Sequence, residues 1–269
     1  MQTSPAAADP SAGALVHPTP ALSSRVEETL LAPQPGGLAD RIAAALPGRS
    51  PVLVFLAALA AGYVVILALM IGFGRLIIDV LLPVLGGGDQ QLSHVLAANR
   101  TDTLNGLSRV ASQIGDMPAI PAVVIVVCVA SLVGRRYRIA AFFAAAILVE
   151  AATYRLATMA VPRQRPNVPR LDTLPADASF PSGHVAAAVA VYVGLALLVT
   201  ARWPGAVVHR VAWSLAVLLP LVVAASRLYR GMHHLSDVVA GVILGCLALL
   251  VALTAARAAG AADARRVGS

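Results

Sequence analysis

Residues 181–201 read PSGHVAAAVAVYVGLALLVTA: four residues with turn and polar chemistry, then seventeen without a charge. Proline suits the start of a helix, Ser182 can cap it, Gly183 lets backbone approach a ligand, and His184 stands at the edge of the first turn. The uncharged run behind them is one pass of a helix through a bilayer. A helix that enters a membrane directly behind a histidine carries polar chemistry to the membrane surface.

Working outward, further apolar runs cover residues 51–73, 117–134, 139–161, 211–225 and 238–256. Together they predict an all-α polytopic membrane protein, a bundle of six transmembrane helices with polar residues gathered at one end. Residues 76–85 either extend the first helix or lie along the interface, with Asp79 among them. Composition agrees: 58% of the 269 residues are hydrophobic and 12% charged, which is too little charge for a soluble domain. The expected organisation is a disordered or interfacial tail over 1–50, a membrane domain over 51–256 and a basic tail over 257–269. Residues 1–36 are rich in Ala, Pro and Ser and lack the pattern of a signal peptide. Residues 38–46 could form a short interfacial helix.

All 20 basic residues are arginine, and the net charge is +7. Much of that arginine flanks apolar runs, where it sets topology, so nucleic acid is not an expected partner; membrane lipids are. Arg135, Arg136, Arg138, Arg202, Arg210, Arg257, Arg265 and Arg266 share one end of the predicted bundle with Arg25, Arg41 and Arg49. The positive-inside rule makes that end cytoplasmic. The expectation is therefore a multi-pass protein of the cell membrane with its polar site on the extracytoplasmic face. Cys128 and Cys246 fall inside apolar runs and read as small hydrophobes without disulfide or redox roles.

At the site end stand Arg163, Arg165-Pro166, the 181–184 tetrapeptide, Ser226-Arg227, His233 and Asp237. Two arginine forks can hold phosphate oxygens bidentately, and phosphoryl transfer needs that charge stabilised. His233 and Asp237, four apart, share a helical face. A carboxylate there could fix the histidine tautomer and leave the other ring nitrogen as nucleophile. The same pair also fits an ordinary interfacial histidine with a helix-start acid. His184 could protonate a leaving oxygen. His234 competes with His233 but lacks an acid four residues on, which suits a supporting position. Glu150, inside a span, reads as a buried partner for Arg155 or a polar contact between helices.

The pattern resembles the type 2 phosphatidic acid phosphatase family, the membrane-bound branch of a superfamily that includes acid phosphatases and vanadium haloperoxidases. The family's second signature is matched by Pro181-Ser182-Gly183-His184. Its third is matched by Ser226-Arg227, five residues, His233, three residues, Asp237. The resemblance implies a phosphohistidine at His233, with His184 as acid and phosphate bound by Arg165, Ser182, Gly183 and Arg227. It implies no metal and no cofactor. The first signature is incomplete, because Thr158 stands where the family has lysine. Losing that contact costs about 1.5–3 kcal/mol, which slows catalysis without abolishing it. Arg163, or less directly Arg155, could supply the missing charge. The implied substrate is a lipid phosphate or diphosphate: a polyprenyl diphosphate, a phosphatidate-type lipid or phosphatidylglycerol phosphate, with the outward site favouring the first. Two other functions use the same residues: transfer of the phosphoryl group to an acceptor other than water, and lipid-phosphate binding without turnover.

Overall fold

Pro51 at the start and Arg75 near the end bracket 26 residues that form one helix, α3 (Pro51–Leu76), capped by the hydroxyl of Ser50. The computed structural model describes residues 24–116, 119–173 and 178–267. In chain order the remaining helices are α1 (Ser24–Thr29), α2 (Leu38–Ala45), α4 (Leu82–Ala98), α5 (Asp102–Gln113), α6 (Ala119–Val133), α7 (Tyr137–Ala160), α8 (Gly183–Arg202), α9 (Ala206–Tyr229) and α10 (Leu235–Val267). A π-helical segment, Ile77–Leu81, carries α3 directly into α4, so residues 76–85 extend the first helix.

The structure is all-helical, as expected. Among the described residues, five segments are long and apolar enough to cross a membrane: Pro51–Leu81, α7, α8, α9 and α10. The sixth expected span corresponds to α6, apolar over its 15 described residues, Ala119–Val133; residues 117 and 118 of that run lie outside the described residues. The chain is thus a multi-pass membrane protein.

Helix α10 is the hub, packing on α3, α7, α8 and α2. It can be approached from several sides because its inward positions are small: Ala240, Gly241, Gly245, Ala248, Ala252 and Ala256 are all buried. At Gly241 an added Cβ would stand 2.5 Å from the Ser182 carbonyl oxygen, and at Gly245 it would stand 2.5 Å from that of Ala186. This small-xxx-small step lets the backbones of α8 and α10 touch.

The short helix expected over 38–46 is present as α2, while other parts of both tails differ from expectation. Residues 1–23 lie outside the described residues, but 24–36 are folded against the bundle. Leu31 is fully buried, and Arg138 and Arg257 donate to the carbonyls of Leu31 and Leu30. The predicted basic tail from 257 is helical to Val267; Ala258, Ala261 and Ala262 pack against Ala39, Ala43 and Val54. Arg265 pairs with Asp40 at 2.7 Å. An alanine-rich continuation is a good helix former, and α2 gives its small face a partner.

Candidate active site

Three pieces of backbone deliver the polar residues to one end of the bundle: the loop residues 161–173 and 178–182, the start of α8, and the turn between α9 and α10. The turn passes through Gly231, whose φ of +71° is a conformation that costs glycine little. The turn and the loop are stitched together. Arg165 Nη1 donates to the Met232 carbonyl at 2.6 Å, and the Leu171 amide donates to that of Arg230 at 3.1 Å. Arg100 completes the seam, binding the carbonyls of Tyr229 and Pro169. The close approach at Gly241 joins α8 to α10, and there the Ser182 amide donates to the Asp237 carbonyl at 3.0 Å.

His233 is 4% exposed, with Nδ1 2.7 Å from the Ser179 carbonyl oxygen. A carbonyl only accepts, so Nδ1 carries the proton and Nε2 keeps its lone pair. Burial pushes the imidazole pKa down to about 3; the positive charges of Arg227 and Arg165 act the same way, opposed by Asp237 and the Ser179 carbonyl. The ring is therefore neutral, with Nε2 available as a nucleophile.

Asp237 sits nearby but is not the group that holds His233 through a ring hydrogen bond. Its Oδ2 accepts from the His234 amide at 2.8 Å and lies 3.3 Å from His234 Nδ1; its Oδ1 accepts from Arg163. This is the third-residue half of a capping box, in which an acid reaches back to the amide at the helix start. His234 therefore supports the site through Asp237, three residues on, and not through the position four residues on.

Arg163 has its Nη groups committed. Nη1 binds Asp237 and Ser236 (2.7 Å to the hydroxyl), and Nη2 binds Asp89 at 2.9 Å. Asp89 also accepts from the Ser236 amide and hydroxyl, so α4 is tied to the start of α10 through one carboxylate. Arg163 was expected to face phosphate; here it pairs with acids. Arg155 is exposed, and Glu150, five residues earlier, is buried, so those two do not pair. Thr158 is buried with its hydroxyl unpartnered.

Arg227 is 1% exposed. Its Nη1 donates to Ser112 at 2.8 Å and to Asp172 at 2.7 Å, whereas Nε and Nη2 have no hydrogen-bond partner. One edge of the fork is thus anchored and the other is open. Arg230 holds the second oxygen of Asp172, which stays ionised despite its partial burial because both arginines lower its pKa. Ser182 is the N-cap residue of α8, yet its buried hydroxyl caps nothing and has no partner. His184 Nε2 stands 3.3 Å from an Asp116 oxygen, within ion-pair range. A cleft of about 540 Å³ opens alongside, lined by Ile78, Leu82, Asp89, Arg163, Arg165 and His234 among others.

The sequence reading did not include Ser108, Ser112, Asp116, Asp172 or Asp89. The two serines left a trace, four apart at helical spacing; the aspartates left none.

Three comparisons with known proteins bear on this arrangement. Residues 138–260 match the family model described as PAP2 superfamily. Among solved structures, the chain resembles the first transmembrane PAP2-type phosphatidylglycerolphosphate phosphatase from Bacillus subtilis, with a TM-score of 0.60 and 21% identity over 71% of this chain and 93% of that one. It also resembles LpxE from Aquifex aeolicus, with a TM-score of 0.49 and 19% identity over 61% of this chain and 94% of that one. No curated protein matches the chain in sequence. The likeness to the Bacillus protein is one of fold, and the stretch that matches the PAP2 superfamily model, residues 138–260, contains His184, His233, Arg165, Arg227 and Asp237.

Proposed function

We propose that this protein is an integral-membrane phosphatase that removes a phosphoryl group from a lipid phosphate or diphosphate through a phosphohistidine at His233. The observation that carries the reading is a set of buried donors without protein partners: the Nε–Nη2 edge of Arg227 and the hydroxyl of Ser182. Buried donors are normally satisfied. Donors left open beside a neutral histidine and a helix N-terminus form a socket for a polyanion.

In the proposed reaction Arg227, Arg165, Ser182 and the first amides of α8, including Gly183, hold the phosphoryl oxygens. Nε2 of His233 attacks phosphorus as the bond to the lipid oxygen breaks. The electron pair leaves on that oxygen, which takes a proton from His184. Water then attacks the phosphohistidine while His184 accepts its proton, which releases phosphate and restores both histidines. Asp237, held by Arg163, steadies the start of α10 and offsets part of the positive field at His233. No step draws on a metal.

The arginine-rich loops at the opposite end of the bundle favour an extracytoplasmic site. That orientation suits a lipid diphosphate such as a polyprenyl diphosphate, with phosphatidate and phosphatidylglycerol phosphate as the other members of the class. The test is phosphate release by detergent-purified protein, with a chelator present, from a polyprenyl diphosphate and from phosphatidate. Turnover that His233→Ala abolishes, with an acid-labile phosphoenzyme trapped from radiolabelled substrate in the wild type alone, is the expected result. Undiminished release by His233→Ala refutes the mechanism, and the ratio of rates names the preferred substrate.

A further inference from the structure

Helix α5 has its polar and apolar faces arranged against the usual order. The face it turns to the protein is polar: Ser108 and Ser112 are buried and accept from Arg230 and Arg227, and Asn105 accepts from the Tyr229 hydroxyl. Its apolar residues point outward: Leu104, Leu107 and Val110 are 44%, 62% and 61% exposed. With successive side chains about 100° apart, those three fall on one flank. Asp102, Arg109 and Gln113, also exposed, fall on another. The helix thus has a protein face, an apolar flank and a charged or polar flank. That is the pattern of a helix lying at a water–hydrocarbon boundary.

Its position agrees. Asn105 meets Tyr229 at the end of α9, Ser112 meets Arg227, and Gly115 packs on Val223. The carbonyl of Ile114 accepts from the Tyr192 hydroxyl, inside the α8 span. From Tyr229 back to Val223 is six residues, so α5 descends roughly 9 Å beside a membrane span. Helix α6 follows, and its described residues, Ala119–Val133, reach about 22 Å of a hydrocarbon core of about 30 Å. A short α6 crosses that core if it starts below the boundary, where the end of α5 leaves it.

We propose that α5 is an interfacial helix whose Leu104–Leu107–Val110 flank is seated in the acyl region of the leaflet that delivers the substrate, so that lipid holds the helix that holds Arg227 and Arg230. The seating stands apart from the reaction; its effect on substrate supply rests on the phosphatase reading.

The test has two arms, each in a Cys128→Ala/Cys246→Ala background reconstituted in phosphatidylcholine–phosphatidylglycerol vesicles. In the first, spin labels are placed singly through Leu104→Cys, Leu107→Cys, Val110→Cys, Asp102→Cys, Arg109→Cys and Gln113→Cys. Oxygen is expected to relax the first three preferentially, and a water-soluble nickel chelate the last three. Equal nickel access to both sets would overturn the proposal. So would spin–spin broadening at residue 107 that disappears on dilution with unlabelled protein, because the flank would then face a second copy. In the second arm, Leu107→Asp is expected to slow turnover of vesicle-borne long-chain phosphatidate about tenfold while a water-soluble short-chain phosphatidate changes less than about twofold. Equal losses on both substrates would overturn the link between seating and substrate supply. Should wild-type protein release no phosphate from either, the phosphatase reading fails and the labels alone still decide the seating.

Discussion

Nδ1 of His233 donates its proton to the carbonyl of Ser179, 2.7 Å away, and the carboxylate of Asp237 is occupied elsewhere. The tautomer of the proposed nucleophile is therefore set by main chain. It follows that Asp237→Asn should leave the tautomer intact, with the nitrogen-15 shifts of His233 unchanged. The same variant removes a buried partner of Arg163, and breaking one side of a buried pair costs about 3–5 kcal/mol. A large fall in thermal stability with an unaltered His233 signature is the expected combination. A tautomer shift in Asp237→Asn would return the orienting role to the carboxylate.

The protonation of His233 gives a pH signature with a definite sign. In the unfolded chain the ring titrates near 6.5, whereas burial holds it at about 3 in the fold. Between those values the unfolded state binds more protons, so this group's contribution to stability is complete above about 6.5 and is lost as pH falls toward 3. Detergent-solubilised wild-type protein should lose Tm across that window more steeply than His233→Gln. Parallel slopes for the two proteins would show that the ring is not buried in its neutral form.

Arg163 pairs with Asp237 and Asp89 at 3% side-chain exposure, so its removal should act on structure before it acts on phosphate. Arg163→Ala is expected to lower thermal stability and to cut kcat by about 100-fold. Arg163→Lys keeps the charge but loses the fork, and should recover part of the stability. Arg155→Ala, at an exposed position, should leave both unchanged. If Arg163→Ala instead raised KM for lipid phosphate with stability intact, Arg163 would be a phosphate ligand after all.

The histidines and the arginine pair were legible in the sequence because helix starts and ends carry their own signals. Pro181 and Ser182 mark one start, Arg227 closes one apolar run, and His233 precedes another. The restraints on those residues were hidden for a physical reason. Ser179 acts through its main chain, which no side-chain pattern reveals. Asp172 reaches Arg227 across 55 residues and Ser112 reaches it across 115, through single polar residues in polar segments. Helix α5 gives no apolar run in the sequence because its protein-facing side is the polar one. The C-terminal extension of α10 was missed because an alanine-rich segment with Arg257 and Asp263 scores as tail by hydropathy, though its small face fits α2.

Asp172 bridges Arg227 and Arg230 and so places a negative charge beside the open edge of the fork. A phosphate entering that edge would feel the carboxylate as repulsion, while the carboxylate holds the fork in place. Asp172→Asn should therefore move two constants in opposite senses. Inhibition by inorganic phosphate should tighten by about three- to tenfold, in keeping with one unit charge removed at short range, while kcat falls as Arg227 loosens. Weaker inhibition together with lower kcat would mean that Asp172 only anchors the arginine.

Gly241 and Gly245 separate the packing of α8 on α10 from the geometry of the site. Each would place a Cβ 2.5 Å from a carbonyl oxygen of α8, that of Ser182 for the first and of Ala186 for the second. Overpacking of this kind costs about 1–3 kcal/mol, so Gly241→Ala and Gly245→Ala should lose similar thermal stability. Their effects on turnover should differ. The clash at Gly241 pushes on the residue whose amide binds Asp237 and whose hydroxyl faces the proposed phosphate socket; the clash at Gly245 falls one turn deeper, away from the histidines. Specific activity measured well below both transition temperatures should drop about 100-fold in Gly241→Ala and less than about threefold in Gly245→Ala. Equal losses would mean that the whole α8–α10 contact sets the reaction geometry, and that its outermost turn has no separate part in it.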